Sequence, residues 1–459
     1  MILYLRFRQK FAFLFAAAIC SFIIISTKIA WTDDLYPRQV TIVEAIQLAL
    51  SNNHEIKAMQ SSSSAYKQDI GIARSFLLPK ISIEGRYLRT NNPGYAFMSR
   101  LNQERITSQD FDPETLNHPD AINDYQSSIS IEQPVFAKKA FVGLSMSKIE
   151  AQQKDEEVKR KREEVSLEVI RAGLNISSAR EYMNAARQGV KDAEEHLRVA
   201  NLRYKNDLGQ YSDSLRASTA LTEARQKFNI AQKNVNLARR GLGLLLAMAE
   251  PLDVKNDSSD DIPLKELSFY TKNANARSDL RVFELREENA RKNITKAEAG
   301  YFPYIGVGGT YQLNDHEKPL GSEGKSWQVM AFLRWEIFDG TKREYERAKA
   351  KHQASEAQEY LQAMKKGVSF KIYEAYMNVE EAGKNTELAG KALKTAEEGA
   401  RLMMLRYENG LSSMSDLLSA QTSLEQARAG FVFHSNAYKL ARFTLSFESG
   451  TILQDLKIE

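Results

Sequence analysis

The sequence predicts a membrane protein of mixed α and β structure in which one structural unit occurs twice. Three observations predict this fold: two long stretches without proline, four short segments of alternating hydrophobicity, and an internal repeat. Proline is costly inside a helix, so the proline-free stretches 135–250 and 320–459 indicate very long helices rather than short alternating elements. With 43% hydrophobic and 27% charged residues, the 459-residue chain is neither disordered nor of low complexity.

The first thirty residues have the order of a secretory signal peptide, since basic residues precede an apolar run over 11–25 and small or polar residues follow. We therefore expect residues 1–30 to be a signal peptide of an exported protein. A membrane anchor that stays in place is the alternative, although the run is short for a membrane span. Lipidation of Cys20 is a second alternative.

The charge of the chain argues against nucleic-acid binding. The formal charge of +4 comes from four basic residues within 1–30, and the remaining 59 basic and 59 acidic residues balance. A neutral chain lacks the basic surface that binds a phosphate backbone. Because the only cysteine is Cys20 and the six histidines show no ligand spacing, the sequence predicts no disulfide, metal site, cofactor or enzymatic activity.

Each half of the chain contains two predicted strands, at about 79–90 and 125–136 and at about 303–313 and 326–338. Apolar and polar residues alternate along each segment, which is the period of a strand with one apolar face. A half-buried soluble sheet also fits this pattern. A membrane barrel is favoured because Trp327 and Trp335 would lie about 20 Å apart across a membrane, as in two aromatic girdles.

Charged residues on the opposite face of these strands also favour a barrel, because they would be costly in a packed core and stable beside water. These residues are Glu84, Arg86, Glu132, Arg334 and Glu336. Four strands cannot close a barrel, and open edges are not tolerated in lipid. Several chains must therefore share one barrel; two copies would fill its interior with side chains, whereas three copies, with twelve strands, leave a passage.

The predicted helices form two hairpins, over 137–250 and 339–447. Apolar residues spaced alternately by three and four form a heptad pattern in all four helices, with alanine alternating with larger residues. If helical throughout, residues 137–203 and 339–406 are each roughly 100 Å long. A structural coiled-coil rod would explain the helices but not the strands before them.

The internal repeat is clearest where the long helices end. Its offset is 203 residues, and the copies are Arg203-Tyr204-Lys205-Asn206-Asp207-Leu208 and Arg406-Tyr407-Glu408-Asn409-Gly410-Leu411. We expect a first repeat over 31–250, a linker over 251–263, a second repeat over 264–448 and a C-terminal tail over 449–459.

In this arrangement the chain resembles the outer-membrane efflux protein family, the TolC-like exit ducts, over about residues 40–448. The resemblance implies a homotrimer with a twelve-stranded barrel in the bacterial outer membrane, continuing into a periplasmic tube of long helical hairpins. The residues that carry it are the doubled arrangement, the Thr41-Ile42-Val43-Glu44-Ala45-Ile46 segment leading to Asn53, the Leu78-Pro79 and Phe302-Pro303 strand entries, and the two Tyr-x-Asn-x-Leu tips.

The resemblance also implies a function. Family members are passive exit ducts of tripartite efflux pumps or type I secretion systems, and they work with a periplasmic membrane-fusion adaptor and an inner-membrane transporter of RND, ABC or MFS type. Two alternatives remain open: a non-conducting coiled-coil protein that bridges the cell envelope, and a soluble periplasmic coiled-coil chaperone.

The hairpin tips are the candidate functional residues. In the family the tips dock the adaptor, which assigns that role by position to Asn206, Leu208 and Gly209 in the first tip and Asn409, Gly410, Leu411 and Ser412 in the second. For a pore gate we expect copies of Asp213 or Asp416 near the pore axis, where Arg203, Tyr204, Arg406 and Tyr407 link neighbouring hairpins.

The alternative interpretation of the tip residues is structural. Ser212 and Ser415 suit helix N-caps, with Asp213 and Asp416 in the positive first turn.

Overall fold

The computed structural model describes residues 38–255 and 263–458; the expected signal peptide and Cys20 lie outside them. The first half of the chain starts with a short strand and two helices and ends in a long hairpin. Its elements are β1 (Arg38–Val40), α1 (Ile42–Asn52), α2 (His54–Ser75), β2 (Lys80–Thr90), α3 (Pro93–Asn102), α4 (Pro113–Asn117), β3 (Ile122–Phe136), α5 (Lys138–Lys205) and α6 (Tyr211–Leu245).

The second half has the same order of strand, strand, long helix and returning helix. Its elements are β4 (Leu252–Val254), α7 (Leu267–Asn273), α8 (Ser278–Glu298), β5 (Tyr304–Asp315), β6 (Gly324–Arg334), α9 (Lys342–Glu408), α10 (Met414–Glu448) and α11 (Ile452–Asp455). Short 3-10 turns lie at Ser108–Phe111, Ala274–Ala276 and Ala299–Tyr301.

The four long strands form one antiparallel sheet in the order β2-β3-β5-β6. The central pair, β3 and β5, joins the two halves, and the hydroxyl oxygens of Ser130 and Thr310 lie 3.1 Å apart across it. The register shifts at Pro134, because proline has no N–H for the ladder. Strands β2 and β6 are the two edges of this sheet.

The fourth strand ends earlier than expected, and this corrects the placement of Trp335. Strand β6 stops at Arg334, so Trp335 lies just past it and the tryptophan spacing does not run along one strand. Beyond the strand, the Arg343 guanidinium donates hydrogen bonds to the carbonyl oxygens of Glu336 (2.9 Å) and Ile337 (2.7 Å). The Trp335 indole N–H donates to the carbonyl of Tyr301 instead (3.2 Å).

The two long helices, α5 and α9, have 68 and 67 residues. Near the tips the helices lie side by side in the order α6-α5-α10-α9, and near the sheet the order is α2-α5-α8-α9. Small and large apolar residues of the predicted heptad pattern are buried between α5 and α6, as alternation with alanine allows close approach. They include Ile176, Ala179, Ala193, Ala200, Leu221, Ala224, Ala231, Val235 and Leu242.

A compact core interrupts the hairpins midway, and part of it lies in the segment expected to be a linker. Strand β4, at 252–254, pairs in parallel with β1. Around this small sheet the ends of α6 and α10 pack on the middle of α5. The Asp253 carboxylate accepts hydrogen bonds from Arg180 and from Arg239, the latter at 2.6 Å. Three-residue strands are too short to show a period in the sequence.

None of the described helices contains a stretch long and apolar enough to cross a membrane.

Candidate functional site at the hairpin tips

Both hairpin tips are built from the same capping motif. In the first tip, the Leu208 N–H donates to the Arg203 carbonyl (2.8 Å) and the Asp207 N–H donates to the Tyr204 carbonyl (3.1 Å). The Asn206 side-chain amide donates to the Leu202 carbonyl (2.9 Å). These bonds satisfy carbonyls that a helix end leaves without partners, which is a Schellman motif.

The second tip repeats these bonds with glycine at the strained position. The Leu411 and Gly410 N–H groups donate to Arg406 and Tyr407 at 2.8 and 3.0 Å. Gly410 has a φ of 74° and its counterpart Asp207 a φ of 57°, both in the left-handed region that favours glycine. The repeated sequence motif is therefore explained first by helix termination.

Arg203 ties the two tips of one chain together. Its guanidinium donates to the carbonyl of Leu208 (2.9 Å) in its own tip, and to the carbonyls of Tyr407 and Glu408 (3.2 Å) in the other. It also lies over the Tyr407 ring, 5.0 Å from its centroid. A cation at a helix C-terminus is favoured by the helix dipole, and here one cation serves two helix ends.

Tyr407 and its repeat counterpart Tyr204 occupy different environments. Tyr407 is 1% exposed and packs in a small core with Met414 and Leu417, whereas Tyr204 is 46% exposed. Burial raises the pKa of the Tyr407 hydroxyl, and the charge of Asp213 adds to this increase. Tyr204 stacks instead on Tyr211, with ring centroids 5.3 Å apart.

The structure thus brings three of the six expected gate residues together, namely Arg203, Tyr407 and Asp213. Arg406 is exposed, and its guanidinium makes one long hydrogen bond, of 3.5 Å, to the Leu411 carbonyl. Asp416 is held in its own helix end.

The helix starts differ from the N-caps expected at Ser212 and Ser415. Helix α10 is capped by Ser413 in a capping box: the Ser413 hydroxyl accepts the Asp416 N–H (3.2 Å), and the Asp416 carboxylate accepts the Ser413 backbone N–H (3.0 Å). The Ser413 hydrogen bonds lower the pKa of the Asp416 carboxyl. Helix α6 starts after Gln210, without a side-chain cap. The serine that caps helix α10 therefore lies two residues before Ser415, the N-cap expected from the sequence.

Sequence reasoning missed several residues that join the two hairpins. The Arg216 guanidinium donates to the Ser415 hydroxyl (2.9 Å), and the Tyr182 hydroxyl donates to the Ala429 carbonyl (3.1 Å). Lys227 and Glu425 form an ion pair of 2.7 Å. Heptad spacing showed which residues face inside a hairpin, but no sequence signal showed which helices of different hairpins are neighbours.

The expected docking residues lie at the extreme ends of the hairpins. Leu208 and Leu411 are 69% and 67% exposed, so the apolar residue of each capping motif faces outward. Gly209 lies against Arg203, because a Cβ atom at Gly209 would be 3.0 Å from the Arg203 Cβ. The first tip therefore needs a small residue there, whereas Ser412 occupies the same position in the second.

Comparisons with known proteins agree with this architecture. The model of the family described as outer membrane efflux protein matches residues 45–247 and 270–451. Protein CyaE of Bordetella pertussis is 29% identical over 150 residues, which are 31% of this chain. The matched part spans about a third (32%) of the length of that protein.

Solved structures show the same fold at low sequence identity. A membrane protein from Pseudomonas aeruginosa has a TM-score of 0.76 at 18% identity, covering 89% of this chain and 93% of that one. The CmeC outer membrane channel of Campylobacter jejuni has 0.72 at 18%, covering 90% and 86%. The open-state MtrE outer membrane channel of Neisseria gonorrhoeae has 0.72 at 19%, covering 89% of each chain.

Proposed function

Because the chain belongs to the outer membrane efflux protein family, we propose that it is the outer-membrane exit duct of a tripartite efflux pump or type I secretion system. Membership confirms the family resemblance and the outer-membrane location expected from the sequence. The duct conducts passively and catalyses no reaction. The observation that carries the proposal is the combination of an open four-stranded sheet with two helical hairpins that are also open at both sides.

The edges of the sheet and of the helical layer coincide. Strand β2 follows α2 at one side, and strand β6 leads into α9 at the other. Near the tips, α6 and α9 are again the outer helices. Copies of the chain that pair β6 with β2 would therefore also place α9 beside α2 and α6. Three copies close a barrel of twelve strands, which leaves a passage.

Exposed side chains support burial of these edges and faces. Large apolar residues on the outer helices include Ile230, Leu237, Leu244, Tyr360, Phe370 and Tyr373, all more than half exposed in the single chain. On the sheet, Ile81, Ile83, Trp327, Val329 and Leu333 are at least 60% exposed on the face that we assign to lipid. Trp327 remains in this face and Trp335 lies at its border with the helices.

The repeat organisation belongs to the same proposal. Residues 31–250 and 264–448 are two copies of one unit, each supplying two strands and one hairpin to the duct. The segment 251–263 connects them and residues 449–459 follow the second copy. Within this plan the helices form the periplasmic tube and the tips form its inner end.

The tips then have two roles. A periplasmic adaptor docks on the exposed residues of the two tips, and the adaptor connects the duct to an inner-membrane transporter. These docking residues are Leu208, Leu411, the capping residues Asn206 and Asn409, and Gly209, Gly410 and Ser412. Arg203, Tyr407 and Asp213 hold the two tips of one chain together. Arg406, Tyr204 and Asp416 are the groups left to face neighbouring chains at the gate.

Ion conductance of the purified protein in a planar lipid bilayer tests this function. A duct conducts, whereas a non-conducting protein that bridges the envelope gives no channels. If the contacts that hold the two tips of each chain together keep the duct closed, the double variant Asp213→Ala, Tyr407→Phe conducts more than the wild type. Arg198→Ala is the matched control, since Arg198 pairs with Glu195 on the exposed surface of the same helix (2.6 Å). Equal conductance of the double variant and the control would show that these contacts within the tips do not keep the duct closed.

A further inference from the structure

The turn between β5 and β6 brings the adjacent carboxylate and imidazole at its start close to a second carboxylate at its end. This turn, residues 316–323, lies at the end of the sheet opposite to the long helices. One ligand atom from each of Asp315, His316 and Glu323 lies within 4.8 Å of the other two. No sequence signal indicates this group, because its spacing matches none of the common metal-binding motifs.

Two of the three side chains are held in place by the turn itself. The Asp315 carboxylate accepts hydrogen bonds from the N–H groups of Glu317 (2.8 Å) and Lys318 (3.0 Å), and only 4% of Asp315 is exposed. The Glu323 carboxylate accepts the N–H of His316 at 3.1 Å and lies 2.6 Å from its Nδ1 atom. These bonds fix the group before any ion binds, which lowers the entropic cost of binding.

The turn leaves room for the group only because of a glycine. A Cβ atom at Gly321 would lie 1.9 Å from Oδ2 of Asp315, so any other residue would displace that carboxylate. Directly after the turn, a Cβ atom at Gly324 would lie 1.7 Å from the carbonyl oxygen of Asn102 at the end of α3. The start of β6 therefore packs directly against the segment 91–121 that joins β2 to β3.

A buried polar chain continues this contact. The Asn314 amide donates to both carboxylate oxygens of Asp124 (2.9 and 3.1 Å), and the Gln103 amide donates to the same carboxylate (3.0 Å). All three side chains are more than nine-tenths buried. The residues on either side of the β5–β6 turn therefore contact β3 through Asn314 and segment 91–121 through Gly324.

We propose that Asp315, His316 and Glu323 bind a divalent first-row transition metal ion, with Zn²⁺ as the representative ion, and that the ion fastens this turn. Imidazole nitrogens and carboxylate oxygens both bind zinc, and three protein ligands leave a coordination position for water. Calcium and magnesium prefer oxygen ligands alone. The site lies within one chain, and only its placement on the outer side of the membrane rests on the proposed function.

Isothermal titration calorimetry of the untagged protein in detergent with ZnCl₂ tests the site. We expect one Zn²⁺ per chain in the wild type and at least about tenfold weaker binding in His316→Ala and in Glu323→Gln. His118→Ala is the matched control, because His118 is exposed in segment 91–121 and is outside the group; it should bind as the wild type does. Hydrogen exchange should show slower exchange of residues 316–323 with Zn²⁺ in the wild type and in His118→Ala only.

The proposal is overturned if the wild type binds no Zn²⁺, if His316→Ala binds it unchanged, or if Mg²⁺ at equal concentration displaces it. Thermal melting without metal shows whether each variant is folded. Where a variant melts like the wild type, its Zn²⁺ affinity decides whether the substituted residue is a ligand. Zn²⁺ binding is measured on the isolated protein, without a bilayer. The protein can therefore conduct ions without binding Zn²⁺, and it can bind Zn²⁺ without forming a channel. The two proposals are therefore separable.

Discussion

Removal of the Arg203 side chain should loosen the second hairpin tip more than the first. Arg203 lies on α5, but two of its three carbonyl partners, Tyr407 and Glu408, end the other long helix. Hydrogen bonds from a charged donor contribute about 1.5–3 kcal/mol each when buried. Because this side chain is only half-buried, we expect Arg203→Ala to cost roughly 2 kcal/mol in local stability.

Hydrogen exchange measured by mass spectrometry checks this value directly. A loss of about 2 kcal/mol corresponds to roughly 30-fold faster exchange of amides within residues 406–411. Arg406→Ala is the matched control, since Arg406 is the repeat counterpart and makes one 3.5 Å bond within its own tip. Two results would show that Arg203 does not join the two tips. One is unchanged exchange at 406–411 in Arg203→Ala. The other is exchange in the opposite tip that Arg406→Ala accelerates as much as Arg203→Ala does.

Three further changes test the core and the tips. Asp253→Ala leaves Arg180 and Arg239 without their shared carboxylate, so the free energy of unfolding in urea should fall by about 3 kcal/mol; a loss below about 1 kcal/mol would contradict this role. Asp207→Gly relieves a positive φ and should slow exchange in the first tip, with a gain of roughly 0.5–1 kcal/mol, whereas faster exchange would refute the strain. Burial lowers the pKa of the His196 imidazole. The buried neutral imidazole therefore contributes fully to the free energy of unfolding above pH 6.5. This contribution is lost as the pH falls below 6.5, by at most about 1.4 kcal/mol per pH unit. In His196→Gln the melting temperature should therefore fall less between pH 7.5 and 5.5 than in the wild type. An identical fall in the two proteins would contradict the lowered pKa of His196.

Periodicity predicted the elements that are long enough to show a period. The strands begin within a few residues of the expected positions, and the helices α5 and α9 end two residues after 203 and 406. The small sheet of β1 and β4 was missed because three residues show no alternation. Helices α3 and α4 were missed because, at ten and five residues, they are too short to show a helical period.

The tips show why repeat symmetry alone did not predict the site. Arg203 and Arg406 have the same local sequence, as do Tyr204 and Tyr407, yet only Arg203 spans both tips and only Tyr407 is buried. The difference arises because α5 packs against α10, whereas α9 lies at an open edge. Neighbour relations between hairpins depend on tertiary packing, which a heptad pattern does not encode. The same limit applies to His316, whose partners are supplied by a turn.

We propose that the open edges of this chain are completed by sister copies. Native mass spectrometry of the detergent-purified protein tests this assembly, because it counts chains without assuming a function. We expect a single species with three times the mass of the mature chain. A stable, folded species with the mass of one chain would contradict it, since its edge strands would then have no partner.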